Sequence, residues 1–293
     1  QQLRELSGID VALDQPGGYE FFTDPTEFDA FKAELAQQAI HLSKRARYEM
    51  LSGDDLRSQM QGIGPDVVGA SFSLCDGHVN PLRFLRALRC SVQTMGGHVR
   101  LGATVSAIRP QPKGGFVLVL ANGEALHTEQ VVLCAGLGAA TLARDLGFNT
   151  QVRPQLGELL ITEKLGDRLP FLSSTIRQVD EGGIQIGGTK ADAGLDDSET
   201  LDVMAGLARH AVAVFPALAN VRVVRAWGAL RVMSPDGHPV YAQSARHPGA
   251  YLVTCHSGIT LAAAHARLLP DWLEGADAAP DLEVFSEDRF AVS

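Results

Sequence analysis

The sequence has few of the residues that would hold a metal ion or staple a small fold. Four of its 293 residues are cysteines, and no two of them form a Cys-x-x-Cys pair. The nine histidines form no His-Glu-x-x-His cluster. Zinc and iron–sulfur sites need such spacings, so we expect no metal site. We interpret Cys75, Cys90, Cys134 and Cys255 as small buried hydrophobes of a reducing compartment.

Basic residues and long apolar runs are also scarce. Lys and Arg number 25 against 34 Asp and Glu, a net charge of −9, so the chain lacks the basic stripe that binds nucleic acids or anionic bilayers. No apolar run reaches the roughly 18 residues that span a bilayer, and no basic-then-apolar signal peptide opens the sequence. We therefore expect a cytoplasmic protein without a membrane span or a nucleic-acid partner.

The rest of the composition is typical of a globular protein, with 45% hydrophobic and 20% charged residues. Helical spacing with capping residues predicts helices over residues 24–40, 80–95, 198–215 and 257–273. Apolar runs and alternation predict strands over residues 99–101, 104–108, 115–120, 131–133, 157–162, 183–188, 221–230 and 250–255. Parallel-type and antiparallel-type segments alternate, which predicts a mixed α/β fold of two domains that the chain crosses more than once.

A glycine-rich turn follows the buried strand at 131–133. Residues 131–141 read VVLCAGLGAAT, a pattern typical of a strand that turns closely into a helix. The third glycine of a dinucleotide-binding fingerprint is missing, and no acidic residue follows at the expected offset of about 20 residues. Two interpretations stay open: a nucleotide-binding turn, or glycines that only allow tight packing of strand and helix.

Arg231 lies in an otherwise apolar stretch just before a Pro-Asp-Gly turn. A buried arginine needs an anion, and its planar fork can bind a carboxylate through two parallel hydrogen bonds. Arg231 is therefore a candidate for binding the carboxylate of an amino or keto acid. The alternative is an arginine that pairs with a structural aspartate or lies exposed at a strand end. We interpret Asp236 as a turn residue.

A small polar turn follows the predicted strand 250–255 and leads into an alanine-rich helix. The N–H groups of Gly258, Ile259 and Thr260 would lie at the helix start, which favours an anionic ligand atom over a metal. His256 and Ser257 are adjacent, so in a strand their side chains point to opposite faces, and no third member of a catalytic triad is visible. For His256 a structural imidazole is favoured, and a general base is the alternative.

Taken in order, these segments resemble one known family. The likeness is carried by the three motifs above and by residues 69–72, 76–81, 104–105, 153–158 and 182–189. Together they are similar to the FAD-dependent amino-acid oxidoreductases of the D-amino-acid oxidase and glycine oxidase type. Within that family, one subgroup is most similar to this sequence at residues 175–178, 230–237, 255–262 and 285–290. Its members are the flavin-bearing β subunits of multi-subunit dehydrogenases that act on hydroxyproline, opines or, in hydrogen cyanide synthase, glycine.

The resemblance implies an FAD-binding, Rossmann-like domain interleaved with an antiparallel-sheet substrate domain. It assigns the FAD-binding domain to residues 76–150 and 229–275. The substrate-binding domain is assigned to residues 9–75 and 151–228, and residues 276–293 are expected to form a carboxyl-terminal extension.

The same resemblance implies roles for individual residues. Arg231 matches the arginine that binds the substrate carboxylate, and His256 is kept as a second candidate for a catalytic role. The cofactor-binding positions are Val105, Ala135, Gly136, Gly258, Ile259 and Thr260. The last three match a turn that places N–H groups against the pyrimidine edge of the flavin, where a helix start stabilises negative charge.

Two departures from the family accompany the likeness. The first βαβ unit, with the complete Gly-x-Gly-x-x-Gly motif, is expected before Gln1, in a segment of roughly 70–90 residues. Thr175 stands where simple oxidases of the family commonly have a tyrosine that helps hold the substrate. The sequence thus predicts a dehydrogenase subunit that oxidises the C–N bond of a small amino or imino acid by hydride transfer to FAD, with electrons passing to partner subunits. The alternatives are an oxygen-dependent amino-acid oxidase and a flavin-free scaffold subunit.

Overall fold

The computed structural model describes residues 1–38 and 48–291. Its helices are α1 (Gln2–Ser7), α2 (Pro25–Gln38), α3 (Gly53–Gln59), α4 (Pro81–Thr94), α5 (Ala139–Leu142), α6 (Leu201–Val214) and α7 (Ala262–Glu274). Its strands are β1 (Gly18–Phe22), β2 (Tyr48–Ser52), β3 (Gly69–Ser73), β4 (Val105–Pro110), β5 (Phe116–Leu120), β6 (Ala125–Thr128), β7 (Val131–Leu133), β8 (Arg153–Lys164), β9 (Ile176–Gln178), β10 (Gly183–Gly187), β11 (Val223–Met233), β12 (Val240–Gln243) and β13 (Ala250–Thr254). Short 3-10 turns lie at Gly136–Gly138, Arg144–Leu146, Pro216–Asn220, Glu283–Phe285 and Glu287–Phe290.

Two of the predicted helices begin at the capping residues that the sequence indicates. The Asp24 carboxylate accepts the Thr26 N–H at 2.7 Å, and the Asn80 side chain accepts the Arg83 N–H at the start of α4. Residues 39–40 of the predicted helix 24–40 lie outside the described residues. The helix predicted from residue 257 begins later, at Ala262, because a turn comes first.

Most predicted strands are present, but residues 99–101 are not a strand. Leu101 is exposed there, so the short alternation of this segment has no core to face. A three-stranded antiparallel meander, β4-β5-β6, follows directly. The mixed α/β class is confirmed.

Residues 1–99, 156–191 and 197–229 form a first compact unit. Its strands belong to sheets of order β1-β3-β2 and β11-β8-β10-β9. The core between these strands and α6 is apolar, and its least exposed members are Leu56, Val67, Ala70, Ile176, Ile184, Ala211 and Val214. The helix α4 packs against α1, and its apolar stripe is exposed at Leu82, Leu85, Leu88, Val92 and Met95.

Residues 100–155, 192–196 and 230–293 form a second compact unit. Besides the meander it contains the sheet β12-β13-β7, in which β13 is antiparallel to β12 and parallel to β7. Its core includes Ala139, Leu146, Ala250 and Leu252.

Two of the boundaries between the units fall inside β8 and β11. Residues 76–99 group with the first unit and residues 276–293 with the second. Which unit binds the cofactor and which binds the substrate stays a prediction. None of the helices within residues 1–38 and 48–291 has the length and apolarity that crossing a membrane requires.

Candidate active site

Two of the predicted motifs lie at one edge of a sheet in the second unit. The strands β7 and β13 are parallel neighbours, with Val131 opposite Ala250. Their carboxyl ends therefore meet at the same edge, which is where α/β sheets bind ligands. The glycine-rich turn at 135–138 follows β7, and the polar turn at 255–261 follows β13.

The glycine-rich turn is tight at Gly136. Its φ of +55° lies in the left-handed region that glycine adopts easily. A Cβ added at Gly136 would lie 3.3 Å from Cγ2 of Val232, so β11 passes close to this turn. Ala135, just before it, is exposed. The backbone of the turn is thus open to a ligand on one side and closely packed on the other.

Arg231 precedes Val232 in β11 and is half-buried. Successive side chains of a strand start on opposite faces, so the Cβ of Arg231 lies on the other face of β11 from that of Val232. This geometry places a cation on the strand that borders the glycine-rich turn.

The polar turn after β13 presents backbone donors at the start of α7. The Leu261 N–H donates to the Ser257 carbonyl at 3.0 Å and begins the helical pattern. Among the described residues, no acceptor receives a hydrogen bond from the N–H groups of Gly258, Ile259 and Thr260. Three consecutive donors at a helix start attract negative charge, and their contact with an anionic ligand atom stays a prediction.

The side chains of His256 and Ser257 meet, which corrects the expectation that they point to opposite faces. Nδ1 of His256 lies 3.2 Å from Oγ of Ser257. The strand β13 ends at Thr254, so the two residues lie in a bend where the alternation of a strand no longer applies. His256 is exposed.

Val105 opens β4, opposite Leu120. Its side chain is half-buried and packs against the core of the second unit. A register shift follows it between Val105 and Ala107. The structure therefore places Val105, the two turns and Arg231 in one compact unit.

The turn after Arg231 is held by an arginine that the sequence analysis did not single out. Arg289 donates from Nε to Oδ2 of Asp236 at 2.8 Å and from Nη2 to Oδ1 at 3.1 Å. It also donates to the carbonyls of Pro239, Phe285 and Ser286. These hydrogen bonds to Arg289 hold the pKa of the Asp236 carboxyl well below its usual range.

Asp236 is thus more than a turn residue. Its Oδ1 also accepts the His238 N–H at 3.0 Å, and Ser234 donates to the His238 carbonyl at 2.6 Å. The turn is closed by its own hydrogen bonds and joined to the carboxyl-terminal segment through Arg289. We call the paired side chains of Asp236 and Arg289 the clamp of Asp236 and Arg289. The only sign of this contact in the sequence was the likeness of residues 285–290 to one subgroup. That likeness did not show which residue Arg289 binds.

A second missed contact supports the polar turn. Oη of Tyr241 in β12 lies 2.7 Å from Nε2 of His265 in the first turn of α7. Burial raises the pKa of Tyr241 and lowers that of His265, so both groups stay neutral at pH 7. The ring of Tyr241 also makes edge-to-face contacts with Trp272 and Phe285, which further fix its position beside α7.

Comparison with known families decides the class. The model of the DAO family, described as FAD dependent oxidoreductase, matches residues 1–272. The chain belongs to this family of FAD-dependent oxidoreductases.

Individual relatives of this FAD-dependent oxidoreductase agree with the assignment. An opine oxidase subunit of Agrobacterium tumefaciens is 39% identical over 291 residues, which cover 98% of this chain and 77% of the relative. Hydrogen cyanide synthase subunit HcnC of Pseudomonas aeruginosa is 29% identical over 299 residues, 99% of this chain and 70% of the relative. The crystal structure of glycine oxidase from Geobacillus kaustophilus shares the fold, with a TM-score of 0.87 at 23% identity over 97% of this chain and 78% of that one.

FAD is the cofactor of the family, and the second unit suits it chemically. The open backbone at Gly136 has no side chain to obstruct a phosphate. The unpaired N–H donors at 258–260, considered within the described residues, fit the electron-rich edge of a flavin ring. Within the described residues, no group of His, Cys, Asp and Glu could hold a metal ion.

Proposed function

We propose that this FAD-dependent oxidoreductase is a dehydrogenase subunit that oxidises the C–N bond of a small amino or imino acid. The substrate class is of the D-hydroxyproline, opine or glycine type. The observation that carries the proposal is the half-buried Arg231 on the strand next to the Gly136 turn. It is supported by the similarity to the opine oxidase subunit of Agrobacterium tumefaciens over 98% of the chain.

Arg231 is proposed to bind the substrate carboxylate. A guanidinium offers two parallel donors that match the two carboxylate oxygens, so one side chain fixes both the position and the orientation of the substrate. Orientation is the main task of the protein if the amine binds in its neutral form, because no strong general base is then required.

The cofactor is proposed to be held by backbone groups of the second unit. Gly136, Ala135 and Val105 would contact its adenosine and pyrophosphate part. The N–H groups of Gly258, Ile259 and Thr260 would stabilise the charge that develops on its pyrimidine edge. When bound, FAD supplies the acceptor for the hydride that leaves the substrate carbon. The second unit, which also contains Arg231, is accordingly the proposed FAD-binding unit, and the assignment of the first unit to substrate binding rests on the family resemblance alone.

His256 is proposed to have at most a supporting part in catalysis. Its imidazole is exposed and hydrogen-bonded to Ser257, a position from which it can accept a proton released by the substrate amine. We expect His256→Ala to change the pH profile of kcat more than its maximum, and a large loss of kcat at every pH would assign it a direct role.

Partner subunits are proposed to receive the electrons. The opine oxidase and hydrogen cyanide synthase relatives are both named as subunits, which favours a hetero-oligomer. We propose that this complex is cytoplasmic, because none of the four cysteines forms a disulfide. Cys75 and Cys134 are exposed and Cys90 and Cys255 are half-buried, so the expectation that they are small buried hydrophobes is wrong.

The decisive experiment is anaerobic mixing of the complete, partner-containing enzyme with D-hydroxyproline, glycine and opine candidates. Substrate oxidation should bleach the visible absorbance of the flavin. If no member of a broad amino-acid panel does so, the assignment fails. Hydrogen peroxide formed without an added acceptor would identify an oxidase instead.

Variants of Arg231 test the proposed carboxylate contact. Because charge-assisted hydrogen bonds are lost, Arg231→Ala should raise KM by roughly ten- to hundredfold. Arg231→Lys should restore little, since an ammonium cannot reproduce the planar fork. The control is Arg225→Lys. It replaces an exposed arginine of the same strand and should leave KM unchanged. An unchanged KM for Arg231→Ala would make Arg231 a structural residue.

A further inference from the structure

A polar cavity of about 370 Å³ lies within the first unit, where the segment that leads into β1 faces the loop that leads into β9. Its lining includes Asp14, Tyr19, Phe72, His78 and Arg168, together with the apolar side chains of residues 169–172. All of these residues belong to the first unit. The volume lies at the lower end of the range for small-molecule sites, which suits a ligand the size of one amino acid or one sugar.

Backbone hydrogen bonds fix the walls of this cavity. Asp14 and His78 lie opposite each other and exchange two backbone hydrogen bonds, of 3.0 and 2.8 Å. On the facing wall, the Tyr19 N–H donates to the Leu172 carbonyl at 2.8 Å. The cavity is therefore formed before any ligand arrives, as small-molecule sites usually are.

The charged side chains of the lining neutralise each other. Nη2 of Arg168 donates to Oδ2 of Asp14, and these two residues are the charged members of the lining. A carboxylate ligand would be repelled by Asp14, and an ammonium ligand would be repelled by Arg168. Either one would have to break the pair to gain a partner. The cavity thus favours a ligand without charge.

Two uncharged polar groups of the lining, the Tyr19 hydroxyl and the His78 imidazole, have no hydrogen-bond partner within residues 1–38 and 48–291. Nε2 of His78 lies 3.9 Å from Oδ2 of Asp14, which is too long for a hydrogen bond. Burial, followed by the charge of Arg177, lowers the pKa of His78, so its ring is neutral at pH 7. Burial, followed by the charge of Glu49, raises the pKa of Tyr19, so its hydroxyl keeps its proton.

The neutral imidazole and the phenol hydroxyl can each donate one hydrogen bond and accept another. An apolar ligand would cut both groups off from water without giving them a partner, which is unfavourable. A ligand hydroxyl suits either group, because it also donates and accepts. Next to these groups lie the rings of Tyr19 and Phe72, with centroids 4.6 Å apart, and the apolar residues 169–172. A ring with several hydroxyls and apolar C–H faces fits such a mixed wall.

We propose that this cavity binds a neutral monosaccharide, whose hydroxyls form hydrogen bonds with Tyr19 and His78 and whose C–H face packs against the aromatic and apolar side chains. The pair of Asp14 and Arg168 disfavours charged sugar derivatives. The site is separate from the proposed function, since it uses neither Arg231 nor the flavin.

NMR titration of the complete enzyme with D-glucose, D-galactose and D-mannose tests the proposal. At least one of them should bind with the roughly millimolar dissociation constant that a few neutral hydrogen bonds support. The amino-sugar and uronic-acid derivatives of that sugar keep its ring but carry a positive or a negative charge. Because they have to break an exposed ion pair, they should bind roughly two- to fivefold more weakly. If none of the three sugars binds, or if a charged derivative binds as tightly as its neutral parent, the proposal is wrong.

Two conservative variants assign the binding to this cavity. Tyr19→Phe removes only a hydroxyl, and His78→Phe removes the ring nitrogens. Each should weaken the binding of the sugar by roughly three- to tenfold, the value of one neutral hydrogen bond. Tyr48→Phe and His210→Phe are the matched controls in the same unit, since neither residue lines the cavity, and they should leave sugar binding unchanged. Wild-type affinity in either cavity variant, or an equal loss in the controls, overturns the proposal.

The flavin assay keeps this site distinct from the proposed function. If no amino acid bleaches the flavin but Tyr19→Phe still weakens sugar binding, the sugar site stands and the proposed function fails. If an amino acid bleaches the flavin while no neutral sugar binds, the proposed function stands and the sugar site is wrong.

Discussion

Replacing Arg289 with alanine tests whether the clamp of Asp236 and Arg289 holds the turn after Arg231. The side chains of Arg289 and Asp236 are 18% and 35% exposed. The substitution removes both hydrogen bonds to the Asp236 carboxylate and those to the carbonyls of Pro239, Phe285 and Ser286. It leaves a partly desolvated carboxylate without its counter-charge, so the turn should loosen.

The expected cost lies between two known limits. An exposed ion pair contributes about 0–1 kcal/mol, and breaking a fully buried one costs about 3–5 kcal/mol. Because Arg289 is largely buried and Asp236 only partly, we expect Arg289→Ala to lower the free energy of unfolding by about 2–3 kcal/mol. At roughly 2–4 °C per kcal/mol, the midpoint of thermal unfolding should fall by roughly 4–12 °C.

The assay is urea and thermal unfolding of the complete protein, with a matched control in the same unit. Arg100 binds Glu124 through two hydrogen bonds of 2.8 Å, but these side chains are 47% and 41% exposed. Arg100→Ala should therefore lower the midpoint of unfolding much less than Arg289→Ala does. A double-mutant cycle with Asp236→Asn isolates the coupling of the pair. If Arg289→Ala costs no more than Arg100→Ala, the reasoning from burial is wrong.

The pH dependence provides an independent check of the clamp. The folded pKa of Asp236 is depressed below its unfolded value, so its ionised form stabilises the fold. That stability is fully present above the unfolded pKa of about 3.9 and is lost as the pH falls through the folded pKa. The difference in stability between wild type and Asp236→Asn should thus be constant at neutral pH and shrink below about pH 4. A difference that grows in acid would contradict the assignment.

Two further predictions concern the candidate cofactor turns. Gly136→Ala should lower the free energy of unfolding by about 1 kcal/mol, because alanine rarely adopts a φ of +55° and its Cβ would press on Val232. We expect a lower flavin-to-protein ratio at normal secondary structure. An unchanged ratio would count against a role of Gly136 in cofactor binding. Tyr241→Phe removes the 2.7 Å contact with His265 and should lower stability by about 1 kcal/mol, measured by urea unfolding; a neutral effect would mean that water replaces the hydroxyl.

Local signals made the helices predictable, because a cap and its partner lie within one turn of each other. Asp24 and Asn80 announce α2 and α4 in this way. The apolar stripe of α4, from Leu82 to Met95, was equally readable. Its exposure in the described structure was not, because periodicity gives the face of a helix but not what packs against it.

Contacts between distant residues explain what sequence reasoning missed at the site. Asp236 and Arg289 are 53 residues apart, and Tyr241 and His265 are 24 apart, so no local pattern joins them. The prediction for His256 and Ser257 was wrong because a local pattern was applied too far. It extended the alternation of a strand past Thr254, where β13 ends. The two turns could be predicted, since a strand that runs into glycine or small polar residues and then a helix is a local signal.

The clamp lies only partly within the stretch that the family model matches. That match ends at residue 272, so it includes Asp236 but not Arg289. The FAD fold can therefore be recognised without the clamp. What the clamp adds is a fixed turn directly after Arg231, on the strand proposed to hold the substrate. Loosening it should consequently raise KM while the flavin content stays normal, a split that separates positioning of the substrate from binding of the cofactor.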